Sequence, residues 1–151
     1  MKMRARIGVG MFVMVALAMA VPCAFAQDWP QWRGPSRDGS VTGFTVPASW
    51  PTGLNEQWSV EVGFGYASPI LIGDHVYMFT RQGDDEVMTA LDTGSGETVW
   101  RASYPAPLEM VAATRNHGPG PKSTPAYADG RLFTLGISGI VTAFDAETGG
   151  Q

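Results

Sequence analysis

The sequence holds one cysteine, Cys23, and two histidines, His75 and His117. Cys23 lies in an N-terminal stretch expected to be removed. Without it a disulfide within the chain, a cysteine metal site and a thiol nucleophile are all excluded. No run of lysine or arginine follows that stretch. Its removal takes Lys2, Arg4 and Arg6 and no acid, leaving seven basic against fourteen acidic side chains. An acidic chain without a basic patch repels phosphate backbones, so nucleic acid is excluded as a partner. There is no HExxH, no Gly-rich phosphate loop and no nucleophile–base–orienter set. After the N-terminal stretch no segment shows an apolar period of 3.6, so long helices are not expected.

What is present begins with a targeting signal. Lys2, Arg4 and Arg6 precede an uncharged, mostly apolar run over 7–21. Ala24-Phe25-Ala26 then supplies a small-x-small cleavage site before Gln27. The run is shorter than the ~20 residues that span a bilayer as a helix. A cleaved secretory signal is therefore preferred to a retained anchor, and the mature chain is expected to be secreted or periplasmic with no transmembrane segment. Lipidation of Cys23 is a minor reading. Pro22 stands where lipoprotein signals usually place a small residue.

Residues 27–55 contain Trp29, Trp32 and Trp50 among many prolines and glycines. That density of breakers forbids helices. The aromatics argue against disorder, so the segment reads as an arm packing its rings on the main body. From residue 57 the pattern becomes short strands. Trp58, Val60 and Val62 alternate with polar neighbours. Further strands are predicted over 68–72, 75–80, 87–91 and 98–102, with Gly73-Asp74 as a hairpin turn and 82–85 as a polar loop. The plan returns over 123–127, 131–135 and 140–145, with Asp129-Gly130 as the turn.

One element recurs. Ala90, Asp92, Ser95 and Gly96 reappear 53 positions later as Ala143, Asp145, Thr148 and Gly149, and Trp100 follows the first copy. Self-similarity at this spacing marks an architecture of stacked supersecondary units. Each position has a physical reason. A small alanine lets a neighbouring sheet approach. The aspartate and hydroxyl can bond backbone N–H groups and fix a turn. The glycine can take a positive φ. The tryptophan offers an apolar face and one N–H donor, which suits docking on the next unit. Recurrence of the carboxylate in the same turn favours this reading of Asp92 over a catalytic or metal-binding one.

The chain resembles the quinoprotein-type β-propellers, the family of PQQ-like repeats. Ala90, Asp92, Ser95, Gly96 and Trp100 match its tryptophan-docking motif, and Ala143, Asp145, Thr148 and Gly149 match a second copy as far as it runs. Tyr66-Ala67-Ser68-Pro69 and Lys122-Ser123-Thr124-Pro125 resemble its blade starts. Trp29-Pro30-Gln31-Trp32-Arg33-Gly34-Pro35 resembles the opening of secreted members, which include relatives of the outer-membrane assembly lipoprotein BamB. The resemblance implies an all-β fold of β-propeller blades with four antiparallel strands each. It divides the chain into a signal peptide (1–26), an arm (27–55), a first blade (56–103), an inter-blade loop (104–121) and a partial second blade (122–151). The tryptophan of the second motif falls at position 153, so an incomplete ring and a fragment of a longer protein are expected. A propeller closes with about four to eight blades.

Propeller folds serve many functions, so chemistry needs its own test. Quinoprotein dehydrogenases of this type hold PQQ and Ca²⁺ at the centre with a catalytic Asp, further carboxylate and amide ligands and often adjacent cysteines. None of that set can be mapped onto this sequence. Asp84-Asp85-Glu86 lacks the spacing of a calcium loop and reads as solvated. His75 reads as a surface or rim residue. The loop over 104–121 carries Arg115, Asn116 and His117, with Lys122 just beyond. These four residues are the candidates for contacting an anionic or peptide group at one mouth of the ring, although an ordinary connection is the simpler reading. The resulting expectation is a non-catalytic scaffold of the cell envelope. It has protein or peptide partners, no evident cofactor and no assigned catalytic or metal residue. The alternative is the N-terminal part of a PQQ-dependent oxidoreductase.

Overall fold

Two-residue turns and alternating side chains build two separate sheets. The computed structural model describes residues 27–112 and 115–151. The expected signal peptide, its cleavage site and Cys23 lie outside the described residues. In the first sheet β1 (Ile70–Ile72), β2 (His75–Gln82), β3 (Asp85–Asp92) and β4 (Thr98–Pro105) run antiparallel in chain order. In the second, β5 (Ala126–Ala128), β6 (Arg131–Leu135) and β7 (Val141–Asp145) do the same. Among the described residues there is no α-helix, only one turn of 3₁₀ helix at Arg115–His117. These are propeller blades, one of four strands and one of three.

The strands follow the sequence pattern, with instructive differences. β1 and β5 begin one residue after Pro69 and Pro125, later than the expected starts at 68 and 123. Proline has no N–H for a ladder, so it marks the first place pairing can start. The expected loop over 82–85 shrinks to Gly83-Asp84, because Gln82 pairs with Asp85 and Arg81 with Glu86. The expected period-two strand at 57–62 does not form a strand pairing among the described residues.

The two sheets lie side by side and share one core. Ile70, Tyr77, Phe79, Met88 and Ala90 from the first sheet meet Leu132 and Phe144 of the second, with Ala146 just after it. Six consecutive residues of β3 are buried. Such a run, in place of alternation, means both faces are covered. One face of the first sheet meets the second sheet; on the other, Thr80 Oγ1–H and Gln82 Nε2–H donate to Val62 O at 2.6 and 2.9 Å. Burying each large side chain here contributes roughly 1.5–3 kcal/mol. Mean exposure alternates cleanly along β6, as period two requires when one face is covered.

The arm runs across the edges where the sheets converge. Trp29 exchanges two backbone hydrogen bonds with Leu71 of β1, at 2.7 and 3.1 Å. The next carbonyl, of Pro30, accepts from Tyr127 N–H of β5 at 2.8 Å. Ser68 N–H donates to Thr124 Oγ1 at 3.1 Å beside them. The arm therefore straps β1 to β5. Its rings divide in their behaviour. Trp29 is half-buried and packs over Gly34. Trp32 and Trp50 are exposed, contrary to the expectation that all three pack on the body. Trp50 stacks only on Phe44, at 6.1 Å.

Candidate functional site

Two groups of residues stand out: the recurring turns and the connection between the sheets. In the first turn Asp92 Oδ1 accepts from Gly94 N–H (3.0 Å), Ser95 N–H (2.8 Å) and Ser95 Oγ–H (2.9 Å). In the second, Asp145 Oδ1 accepts from Glu147 N–H (3.1 Å), Thr148 N–H (2.9 Å) and Thr148 Oγ1–H (2.8 Å). Hydrogen bonding to the ionised form favours it. For Asp92 the backbone N–H of Ser95 is the largest cause of a pKa held below the usual carboxylate range, followed by the Ser95 hydroxyl. For Asp145 the Thr148 hydroxyl leads and the Thr148 N–H follows. Each turn ends on a left-handed glycine, Gly96 at φ 73° and Gly149 at φ 74°.

An indole rests on each of those glycines. Trp100, opposite Ala90 in β4, reaches across to the second sheet's turn and donates its Nε1–H to Ala146 O at 2.9 Å. Ala146 O also accepts from Tyr77 Oη–H at 3.1 Å. Ala90 itself is fully buried in the shared core, whereas Ala143 is half-buried on the outer face of the second sheet. Trp58 does the same one unit earlier, donating to Thr93 O at 2.9 Å and covering Gly96. Sequence reasoning missed this role of Trp58. The signal was there, since Trp58 stands to the first motif as Trp100 stands to the second.

The connection between β4 and β5 shares one end of the molecule with the β2–β3 and β6–β7 turns. Ala106 N–H donates to Asp84 O at 2.9 Å, and the buried Arg81 guanidinium returns a bond to Ala106 O at 2.8 Å. Tyr66 N–H donates to Pro121 O at 2.8 Å. The reading of Asp84-Asp85-Glu86 as a solvated loop fails at Glu86, which is fully buried. Its carboxylate accepts from Tyr104 Oη–H at 2.7 Å and from Ile137 N–H of the second sheet's turn at 2.7 Å. Burial, then the Glu86 hydrogen bond, push the Tyr104 hydroxyl up to about 12. Gly136 has to be glycine here, because a Cβ would collide with that carboxylate.

The candidate binding residues separate. Arg115, Asn116 and His117 form the 3₁₀ turn and are all exposed. Lys122 alone reaches a cleft of about 210 Å³ lined also by Leu108, Glu109, Met110, Val111, Gly118 and Ile137. Its Nζ donates to His117 O at 3.0 Å and stands 4.4 Å from the centre of the Tyr66 ring. His117 thus contributes its carbonyl, not its imidazole. His75 is half-buried at the start of β2, near Tyr77.

A quinone cofactor with Ca²⁺ needs several carboxylate and amide donors converging near the ring centre. Among the described residues no three His, Cys, Asp or Glu side chains are placed to hold a metal ion. The converging edges of β1 and β5 are bonded instead to Trp29 and Pro30. The described residues do not furnish that donor set.

Residues 83–151 match the family model described as outer membrane protein assembly factor BamB. No curated protein matches the chain. The matched stretch runs from the β2–β3 turn through the whole second sheet and contains both aspartate turns. Over that stretch the chain is similar to the PQQ-like repeat family.

Proposed function

We propose that the chain is part of a non-catalytic scaffold that binds protein partners in the cell envelope, by way of the cleft at the β4–β5 connection. The observation that carries this is the placement of Lys122. Its ammonium is fixed over Tyr66 beside an apolar cleft, with the Glu109 carboxylate among the lining residues. One cation, one carboxylate and apolar walls suit a peptide, whose backbone offers both donors and acceptors. Phe64 and Tyr66 stand exposed next to it, and aromatic residues are enriched where proteins meet. The family description, which names an outer-membrane assembly factor, supports an envelope setting. So does the targeting signal read from the sequence. Among the described residues no helix is long and apolar enough to cross a membrane.

The test is a photo-crosslinking residue in place of Tyr66, in cells that export the protein. Crosslinks to a defined envelope protein are expected, and Lys122→Glu should weaken them without changing the melting temperature. Crosslinks indifferent to Lys122 would refute the cleft. The oxidoreductase reading is tested by adding PQQ and Ca²⁺ to the full chain and following alcohol-dependent dye reduction. Turnover lost on chelation would overturn the scaffold.

A further inference from the structure

Cleavage after Ala26 makes Gln27 the first residue of the chain, and its side chain is already held by the arm. Gln27 Oε1 accepts from Thr42 N–H at 2.9 Å, and the Thr42 hydroxyl stands 3.5 Å from the same oxygen. The next residue is tied as well, since Asp28 Oδ1 accepts from Gly73 N–H at 2.9 Å. Trp29 follows with its two backbone bonds to Leu71. Three consecutive residues are thus fastened at the start of the strap, and Gln27 is the one whose carboxamide carbonyl faces two donors.

Two features of this arrangement act on a newly freed terminus. Donors aimed at a carbonyl oxygen stabilise the negative charge that develops there when a nucleophile adds to the carbon. A glutamine at an N-terminus carries that nucleophile itself. Its α-amine, with an ordinary pKa of about 8, is partly neutral at about pH 7 to 8. Closure on Cδ makes a five-membered ring, so the step has the advantage of an intramolecular reaction. The second feature is the setting. Gln27 is half-buried and lines a cleft of about 490 Å³ whose walls include Trp29, Ile70, Leu71 and Val76. An ammonium freed beside apolar walls loses hydration, and a neutral lactam in its place has less to lose.

We propose that Gln27 is a modification site: freed by signal cleavage, it closes to pyroglutamate, with Thr42 holding the carbonyl that is attacked. The α-nitrogen forms a bond to Cδ, and the Cδ–Nε2 bond breaks. Nε2 leaves as ammonia, carrying the proton that the amine gives up. No oxidant, reductant or second reactant is consumed. The oxygen bonded to Thr42 stays on the ring, where it remains an acceptor for the same N–H. The strap then begins with an uncharged residue that has no free amine. Aminopeptidases, which need that amine, cannot trim towards Trp29. The modification rests on the chain being exported and cut after Ala26, because only then does Gln27 carry a free α-amine.

The full-length precursor is expressed in cells that export it, and the N-terminal peptide of the purified protein is read by mass spectrometry. The expected peptide starts at residue 27 and is lighter by one ammonia than the unmodified one. It should resist stepwise N-terminal sequencing until pyroglutamyl aminopeptidase removes the ring. Gln27→Asn, whose shorter side chain cannot close a five-membered ring, should be cut at the same place and keep its amine. A wild-type peptide that starts at residue 27 with a free amine overturns the modification and leaves the export reading standing. A wild-type chain with a different N-terminus overturns both. The part played by Thr42 is read from rates, with precursor cut in vitro by signal peptidase to set the starting time. Closure in buffer should run roughly tenfold faster than in urea, and Thr42→Pro, which lacks both donors, should lose that advantage while its circular dichroism spectrum stays unchanged. Equal rates in buffer and urea would overturn the assistance by Thr42 and with it the proposal.

Discussion

The ring of Trp100 lies so close to Gly149 that a Cβ on that glycine would come within 2.6 Å of the indole. Trp58 and Gly96 repeat the relationship at the same 2.6 Å. Indole and glycine are halves of one fitting, and the aspartate turn holds the glycine in place. Trp100→Ala should therefore lower stability by roughly 3 kcal/mol, at the low end for tryptophan because the ring is only half-buried. Trp100→Phe should cost about 1 kcal/mol or less, since Tyr77 still donates to Ala146 O. Urea unfolding of both variants separates packing from hydrogen bonding.

The glycines give a sharper comparison. Gly149→Ala and Gly96→Ala meet both a positive φ and an indole, so each should cost about 2–3 kcal/mol. Gly130→Ala also sits at positive φ, 76°, but its Cβ would meet open space. It should cost only about 1 kcal/mol. Equal melting temperatures for the three variants would show that the ring contact contributes nothing.

Acid should loosen both turns. Asp92 and Asp145 have pKa values held below 3.8 in the folded chain, so the unfolded state binds more protons near that pH. The stability they contribute is present above about pH 4 and is lost as pH falls through their folded values. Asp92→Asn with Asp145→Asn keeps an acceptor oxygen and removes the titration. Thermal melts between pH 2 and 6 should show a flatter acid limb for the double variant.

Alkali acts on Tyr104. Its folded value of about 12 lies above the ordinary 10, so the folded state holds the proton longer. That contribution is complete below pH 10 and disappears as pH rises towards 12. Tyr104→Phe should remove this part of the alkaline decline, read by melting the variant beside the wild type across that range.

Glu86 ties the sheets together, and its loss should be severe. Glu86→Ala strands the Ile137 N–H and the Tyr104 hydroxyl in a dry interface and should cost about 3 kcal/mol. Glu86→Gln keeps an acceptor and should cost less. Hydrogen exchange at Ile137 reports the damage directly, with faster exchange expected in the alanine variant.

What could be read from the sequence follows from how local each interaction is. The aspartate turns close within a few residues, so their chemistry was legible from Asp92, Ser95 and Gly96 alone. The destination of Trp100 needed only the assumption that units repeat. Trp58 was harder, because its alternating neighbours look like a strand while no strand among the described residues pairs with them. Glu86 gave no signal, since three adjacent acids read as solvated until the partners at Tyr104 and Ile137 are known. The loop residues 115–117 were grouped with Lys122 by proximity in sequence. Only Lys122 reaches the cleft, because the 3₁₀ turn holds the other three outward.

The strap formed by Trp29 and Pro30 has a consequence for how the protein comes to be folded. Its second anchor, Tyr127, lies about a hundred residues further along the chain. Bonds spanning such separations form late, since a long loop must close first. The earliest part of the arm to be synthesised is thus among the last to be fastened, and both converging edges stay open to other strands until β5 has been made. That interval is when a chaperone has something to hold.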